Sequence, residues 1–279
     1  MKYKDIVLNS LNKRKIIYRT KGSTHGPITR LVSPGDVGEL IKPFVFLDYV
    51  NAPKGPGFGF HPHSGIATLT YPLTFDVEHE ASTGQIDTVL REGVEWVVAG
   101  GGIWHKGKVV KGDQAVGFQL WFALPAEFEN TQPNAQFIFP QDVVEVGGVR
   151  LLHGEYLGHK SSISSPVKAN LMFVKLSAAE TWSYQPPMNN HVAWIFLQNG
   201  SMTVNEESLS HELAVFEETS GELLFRAITD CAFLLGSAVK HEHDLVLGSY
   251  SVHTNSQSLA KGENQINQIG IDLKSQGKI

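Results

Sequence analysis

The sequence predicts an all-β protein made of two β-sandwich or barrel domains. Three observations carry this. Turn signals recur about every 8–12 residues through most of the chain, the spacing of short antiparallel strands. No long helical period interrupts them before the last quarter. The strand series of the first half also returns in the second, as an internal duplication would leave it.

Taken in order, Asp5–Asn9 reads as a short helix or an arm, and Lys15–Arg19 alternates as a strand. Leu31–Asp36 ends in a turn at Ser33-Pro34-Gly35. Pro43–Tyr49 is an apolar run with Asp48 inside it, read as a capped strand end before a catalytic base. Short strands then follow closely: Ile66–Leu73, Phe75–Glu80, Glu95–Ala99 and Val116–Pro125, with turns at Ser82-Thr83-Gly84 and Arg91-Glu92-Gly93. A polar connection over 126–142 suggests a boundary, giving domains of 1–135 and 136–279. The second series runs Val143–Leu152, Leu171–Leu176, Val192–Leu197, Ser201–Asn205, Leu213–Glu217, Glu222–Ala227 and Cys231–Ser237. Leu259–Ile269 has the spacing of a short C-terminal helix, with Asn255 or Ser256 as N-cap, and residues 272–279 are expected to fray.

Composition bounds the function. A chain of 279 residues with 42% hydrophobic and 18% charged residues supplies two globular cores. The net charge of −5 and the lack of a basic run argue against direct nucleic-acid binding. No segment approaches the roughly 18 apolar residues of a membrane span, and the polar start Met1–Asp5 has no secretory h-region. A soluble cytoplasmic protein is therefore expected. The single cysteine, Cys231, lies in an apolar run and reads as a buried, inert thiol.

The chemistry-bearing residues are histidines. His61 and His63 flank Pro62 in Gly59-Phe60-His61-Pro62-His63-Ser64-Gly65, and His105 closes Gly100-Gly101-Gly102-Ile103-Trp104-His105. In an extended chain, residues i and i+2 share a face, so His61 and His63 point together, with Gly65 and Ala67 after them if the strand continues; His105 and Gly107 pair likewise. Three imidazoles converging in a barrel suit Fe, Zn, Ni or Cu. The alternative is three polar histidines lining a loop. His241-Glu242-His243 also has ligand spacing but sits in a charged connection and reads as surface loop; His191 reads as a barrel-mouth residue; His153, His159 and His211 carry no signal.

These blocks, together with Pro43–Asp48, Thr68–Tyr71, Glu78–Gly84, Trp96–Ala99, Leu234–Gly236 and Leu247–Asn255, resemble the pirin family of bicupins over nearly the whole chain. The resemblance implies two stacked cupin (double-stranded β-helix) barrels with one metal in the first. It implies dioxygenase activity on flavonols such as quercetin for some members and a transcriptional co-regulator role for others, so a small aromatic ligand and a regulatory protein partner are both expected. It maps His61, His63 and His105 onto the family's ligands. The fourth ligand, a Glu, falls at Gly107, and a second carboxylate falls at Ala67, so the ligand set is incomplete and the protein could be metal-free. Asp48, Glu78, His79 and Glu80 are the candidate substitutes as base, and Lys106 and Lys108 are placed at the pocket mouth. The expectation divides between a metal-dependent dioxygenase of the quercetin 2,3-dioxygenase type and a non-enzymatic, ligand-binding or regulatory member.

Overall fold

A computed structural model describes residues 13–53 and 57–279. The segment Asp5–Asn9 lies outside them. The protein is all-β, as expected, and the described residues form two compact units. Each unit combines a seven-stranded and a four-stranded antiparallel sheet, which is the structural form of the duplication.

The first unit gathers Ser23–Val143, Ser162–Val167 and His241–Ile279. Its larger sheet runs in the order Asn134–Ile138, Val94–Val98, Ile66–Pro72, Ala115–Ala123, Phe44–Ala52, Ile28–Val32 and Ser23–His25. The smaller sheet has the order Phe58–His63, Ile103–Lys111, Asp76–Ala81 and Ile86–Val89. The second unit takes residues 13–22, Val144–Ser161 and Lys168–Lys240. Its seven-stranded sheet runs from Ile16–Thr20 to Val144–Val146, and its four-stranded sheet holds Thr181–Tyr184, Leu223–Ala227, Met202–Val204 and Glu207–Leu209. Ile195, Phe216, Phe225 and Phe233 are among the side chains of its core.

The domain limits thus differ from a single cut at 135. Asn134–Ile138 is a strand hydrogen-bonded to Val94–Val98, so the polar connection still belongs to the first unit. The two ends of the chain are exchanged. Ile16–Thr20 pairs with Leu213–Phe216, and the C-terminal segment packs on the first unit. A cut read from composition misses this because strand pairing is non-local and leaves no mark in a window of sequence.

The C-terminal segment is held by polar side chains buried together. The Ser64 hydroxyl donates to Ser251 Oγ at 2.8 Å and lies 3.0 Å from His253 Nε2. Glu129, itself buried, accepts from the Thr254 amide and the Thr254 hydroxyl, both at 2.8 Å, and lies 3.5 Å from His253 Nδ1. Each partner satisfies another, which is what makes burying so many polar groups tolerable. The helix that follows spans Ser256–Ser275 and is capped by Asn255, whose side chain accepts from the Ser258 amide at 2.8 Å. It extends further than expected, since Leu273 is buried and residues up to Ser275 stay helical instead of fraying. Its buried stripe is Ser258, Gly262, Ile266, Gly270 and Leu273, spaced by about one turn. The small residues allow close approach: Ile266 brings its carbonyl 2.7 Å from the Trp104 indole Nε1, which donates to it.

Gly65 is the tightest point of this docking. Its φ is +73°, and a Cβ there would stand 2.0 Å from the Val252 carbonyl oxygen. Gly65→Ala therefore combines left-handed strain with a backbone clash and should lower stability by roughly 2–4 kcal/mol, read as a fall in the denaturation midpoint. In the other unit His153, for which the sequence carried no signal, is fully buried and donates Nδ1–H to the Ala169 carbonyl at 2.9 Å. Burial pushes its imidazole down to about 4, with the carbonyl opposing only in part. The fold then binds fewer protons than the unfolded chain, so this contribution is full above about pH 6.5 and drains away as pH falls towards 4. His153→Gln should flatten the fall in stability between pH 6.5 and 4 by about 3 kcal/mol, measured by urea denaturation of the metal-free protein.

Candidate metal centre

The strand Ile103–Lys111 builds the site, because it is the inner strand that lies between Phe58–His63 and Asp76–Ala81, the two strands that carry the other histidines. On one side His105 stands opposite His61 and Ile103 opposite His63. On the other, His105 faces Ala81 and Gly107 faces His79. Directly opposed residues on antiparallel strands carry side chains on the same face, so this register alone gathers four imidazoles. The rings of His61, His63 and His105 lie 4.6–5.1 Å apart between centroids. Their ligand-capable atoms fall within 4.8 Å of one another. All three expected residues therefore come together.

The protonation state suits metal binding. His61 directs Nδ1 to the Gly59 carbonyl at 2.8 Å, and His63 directs Nδ1 to the Tyr250 carbonyl at 3.3 Å. A carbonyl accepts only from Nδ1–H, which leaves the Nε2 lone pair of each ring for an ion. Burial, reinforced by the neighbouring imidazoles, pushes His63 down to about 3 and His105 well below its ordinary value. Burial also lowers His61, opposed by its carbonyl contact and by the charge of Glu95. His105 Nε2 is buried with no hydrogen-bond partner. Neutral imidazoles with free lone pairs fit a divalent ion of borderline softness.

The three rings open onto a cavity of about 250 Å³. Its walls include Phe46, Phe75, Phe118 and Trp121, with Trp121 stacked on Phe46 at 4.1 Å and packed against the His63 ring at 4.8 Å. Arg30 lies over the other reach of Phe46, 4.0 Å from the ring centre. The pocket is apolar with a few convergent polar groups, as small-molecule sites are.

The missing carboxylates resolve differently. Gly107 lines the pocket and supplies no acid. Ala67 is not aimed at the histidines, because the chain does not stay extended from Phe60. The strand ends at His63, turns at Ser64-Gly65, and restarts in the other sheet at Ile66, where Ala67 is paired with Val98 and Phe122. Among the proposed substitutes, Glu78 is exposed, and Glu80 pairs with Lys106 at 2.6 Å. His79 points inward and lines the pocket. Asp48 also lines it, but it sits within the Phe44–Ala52 strand instead of at an end, and Arg30 engages both of its oxygens, one at 3.0 Å. Burial raises the Asp48 carboxyl, with Arg30 opposing. Lys106 reaches the mouth beside Phe60, while Lys108 is exposed.

Glu95 is the residue that sequence reasoning passed over. It is only 3% exposed and lies at the pocket, in hydrogen-bonding contact with His79 Nδ1 and accepting from the Thr70 hydroxyl. Burial alone would raise its carboxyl; the hydrogen bond and charge of His79, the His105 ring and Thr70 outweigh it and leave it below the usual value. The available signal was a carboxylate inside the otherwise apolar Val94–Val98. His241 and His243 remain in a loop, with His241 Nε2–H donating to the Leu124 carbonyl at 3.0 Å. Cys231 is buried, and burial raises its thiol to about 11.

Comparison with known proteins agrees with this architecture. Residues 28–122 match the family described as Pirin, and residues 158–235 match the quercetinase C-terminal cupin domain. A pirin-like protein of Caulobacter vibrioides is 33% identical over 56% of this chain, and the match spans 57% of that protein's length. A Pseudomonas aeruginosa protein whose name carries a provisional quercetin 2,3-dioxygenase assignment is 26% identical over 75% of this chain and 79% of its own. A crystal structure of quercetin 2,3-dioxygenase from Acinetobacter baumannii superposes with a TM-score of 0.85 at 23% identity, covering 92% of this chain and 97% of that one. The Escherichia coli bacterial pirin YhhW, solved in complex with nickel(II), gives 0.65 at 22% identity over 81% and 98%. With both halves of the duplication matched and the histidines converging where the motifs stand, the chain belongs to the pirin family.

Proposed function

We propose that the protein is a metal-dependent dioxygenase of the quercetin 2,3-dioxygenase type, acting on a small flat aromatic molecule. The carrying observation is the convergence of His61, His63 and His105 at one wall of an aromatic-lined cavity. A divalent ion bound there would supply Lewis-acid activation of the substrate hydroxyl and access to dioxygen. The chain's own residues supply the rest. Phe46, Phe118 and Trp121 offer faces against which a planar ring stacks. Asp48 fixes Arg30 over Phe46, and so holds the rim rigid. The apolar walls exclude water from the reacting face. Fe is the first choice of metal, with Ni, Zn, Cu and Mn within the range that imidazole nitrogen accepts.

The absence of a carboxylate at Gly107 favours a second reading. A pocket that binds an aromatic ligand without turning it over would serve a regulatory role, including recognition by a protein partner. Metal content and oxygen consumption separate the two. Protein purified without added metal should carry about one divalent ion, and His105→Ala should weaken its retention by at least about tenfold. The loaded protein should consume dioxygen with quercetin, with loss of the flavonol absorbance. A metal-loaded protein that binds quercetin and takes up no oxygen is the ligand-binding protein of the second reading.

A further inference from the structure

The three-histidine reading leaves a second cluster of donors unused. His79, Glu95 and His105 place one ligand-capable atom each within 4.8 Å of the others. All three side chains are buried, with 2%, 3% and 6% exposure. His79 Nε2 and His105 Nε2 are buried polar atoms without a hydrogen-bond partner, a costly state in a native interior unless something is received there. We propose that His79, Glu95 and His105 form a second divalent-cation position in the pocket, an alternative to the three-histidine position because both draw on the one free lone pair of His105.

The argument is one of charge and place. Three neutral imidazoles leave the charge of a divalent ion uncompensated in a partly dry cavity. Gly107, on the strand that carries His105, offers no carboxylate, but its direct cross-strand neighbour is His79. A Cβ at Gly107 would meet one side-chain atom, Val77 Cγ1 at 3.3 Å. His79 brings a ring into the same space, and Glu95 follows it from the Val94–Val98 strand of the facing sheet. The negative charge absent from one strand is thus present on another. Two histidines and one carboxylate are the donor set that non-haem Fe(II) oxygenases use with open positions, and the set takes other borderline divalent ions as well. A purely structural hydrogen bond would need only His79 and Glu95. The ring of His105, 5.2 Å from that of His79 with an unpartnered nitrogen, is what turns the pair into a site.

The inference rests on the pocket being a metal site and not on the reaction catalysed there. Its test uses the full chain and two probe ions, Zn(II) and anaerobic Fe(II). Binding is followed by calorimetry and by metal analysis after desalting, with thermal melting to establish that each variant is folded. The double variant His61→Ala/His63→Ala should still retain one ion. Glu95→Gln and His79→Ala should each weaken that ion by tenfold or more in the double-variant background. A crystal of the unmodified protein soaked in Zn(II) should give anomalous density about 2 Å from a Glu95 oxygen. An ion found only among His61, His63 and His105, with affinity unchanged by Glu95→Gln, overturns the inference and leaves the reading of the pocket intact. No ion bound by the unmodified protein overturns both.

Discussion

The register of one strand governs the chemistry of this protein. Ile103–Lys111 is hydrogen-bonded to Phe58–His63 on one edge and to Asp76–Ala81 on the other. Because opposed residues share a face, that register sets His105 against His61 and Gly107 against His79 without reference to any other part of the chain. A slip of this strand by one residue would turn His105 towards the opposite face, away from His61, His63 and His79. The ladder is irregular between His105 and Gly107 on the Phe58–His63 side, where the extra residue lies on the Phe58–His63 strand. Such bulges re-aim side chains, and here the irregularity falls between Phe58 and the ligand His61.

Burial then decides what the gathered rings can do. In water each imidazole would be partly protonated near neutrality, and several together would repel. Burial holds His63, packed beside Trp121, and His105 in their neutral form, and the one carboxylate that reaches them, Glu95, is kept ionised by the hydrogen bonds it accepts. The pocket is therefore polar inside and apolar around, with its negative charge displaced from the strand that carries the ligands.

Much of this was legible in the sequence, and the rest was hidden for definite reasons. Turn spacing exposed the strands, and the two histidine blocks exposed the site, because period and motif are local properties. The position of Ala67 was misread because alternation assumes that the chain stays extended, whereas Gly65 takes a left-handed turn and sends Ile66 into another sheet. Glu95 went unnoticed because a strand buried on both faces has no polar–apolar alternation to break. The exchange of the chain ends could not be read at all, since the pairing of Ile16–Thr20 with Leu213–Phe216 joins segments nearly two hundred residues apart.

That exchange bears on how the site comes into being. The unit holding the histidines is closed by His241–Ile279. The carbonyl that orients His63 belongs to Tyr250, and the anchor of Ser64 belongs to Ser251 and His253. The contacts that orient His63 and anchor Ser64 are therefore synthesised long after the histidines themselves, so a truncation before Tyr250 would leave the three ligands in the chain and remove what aims one of them.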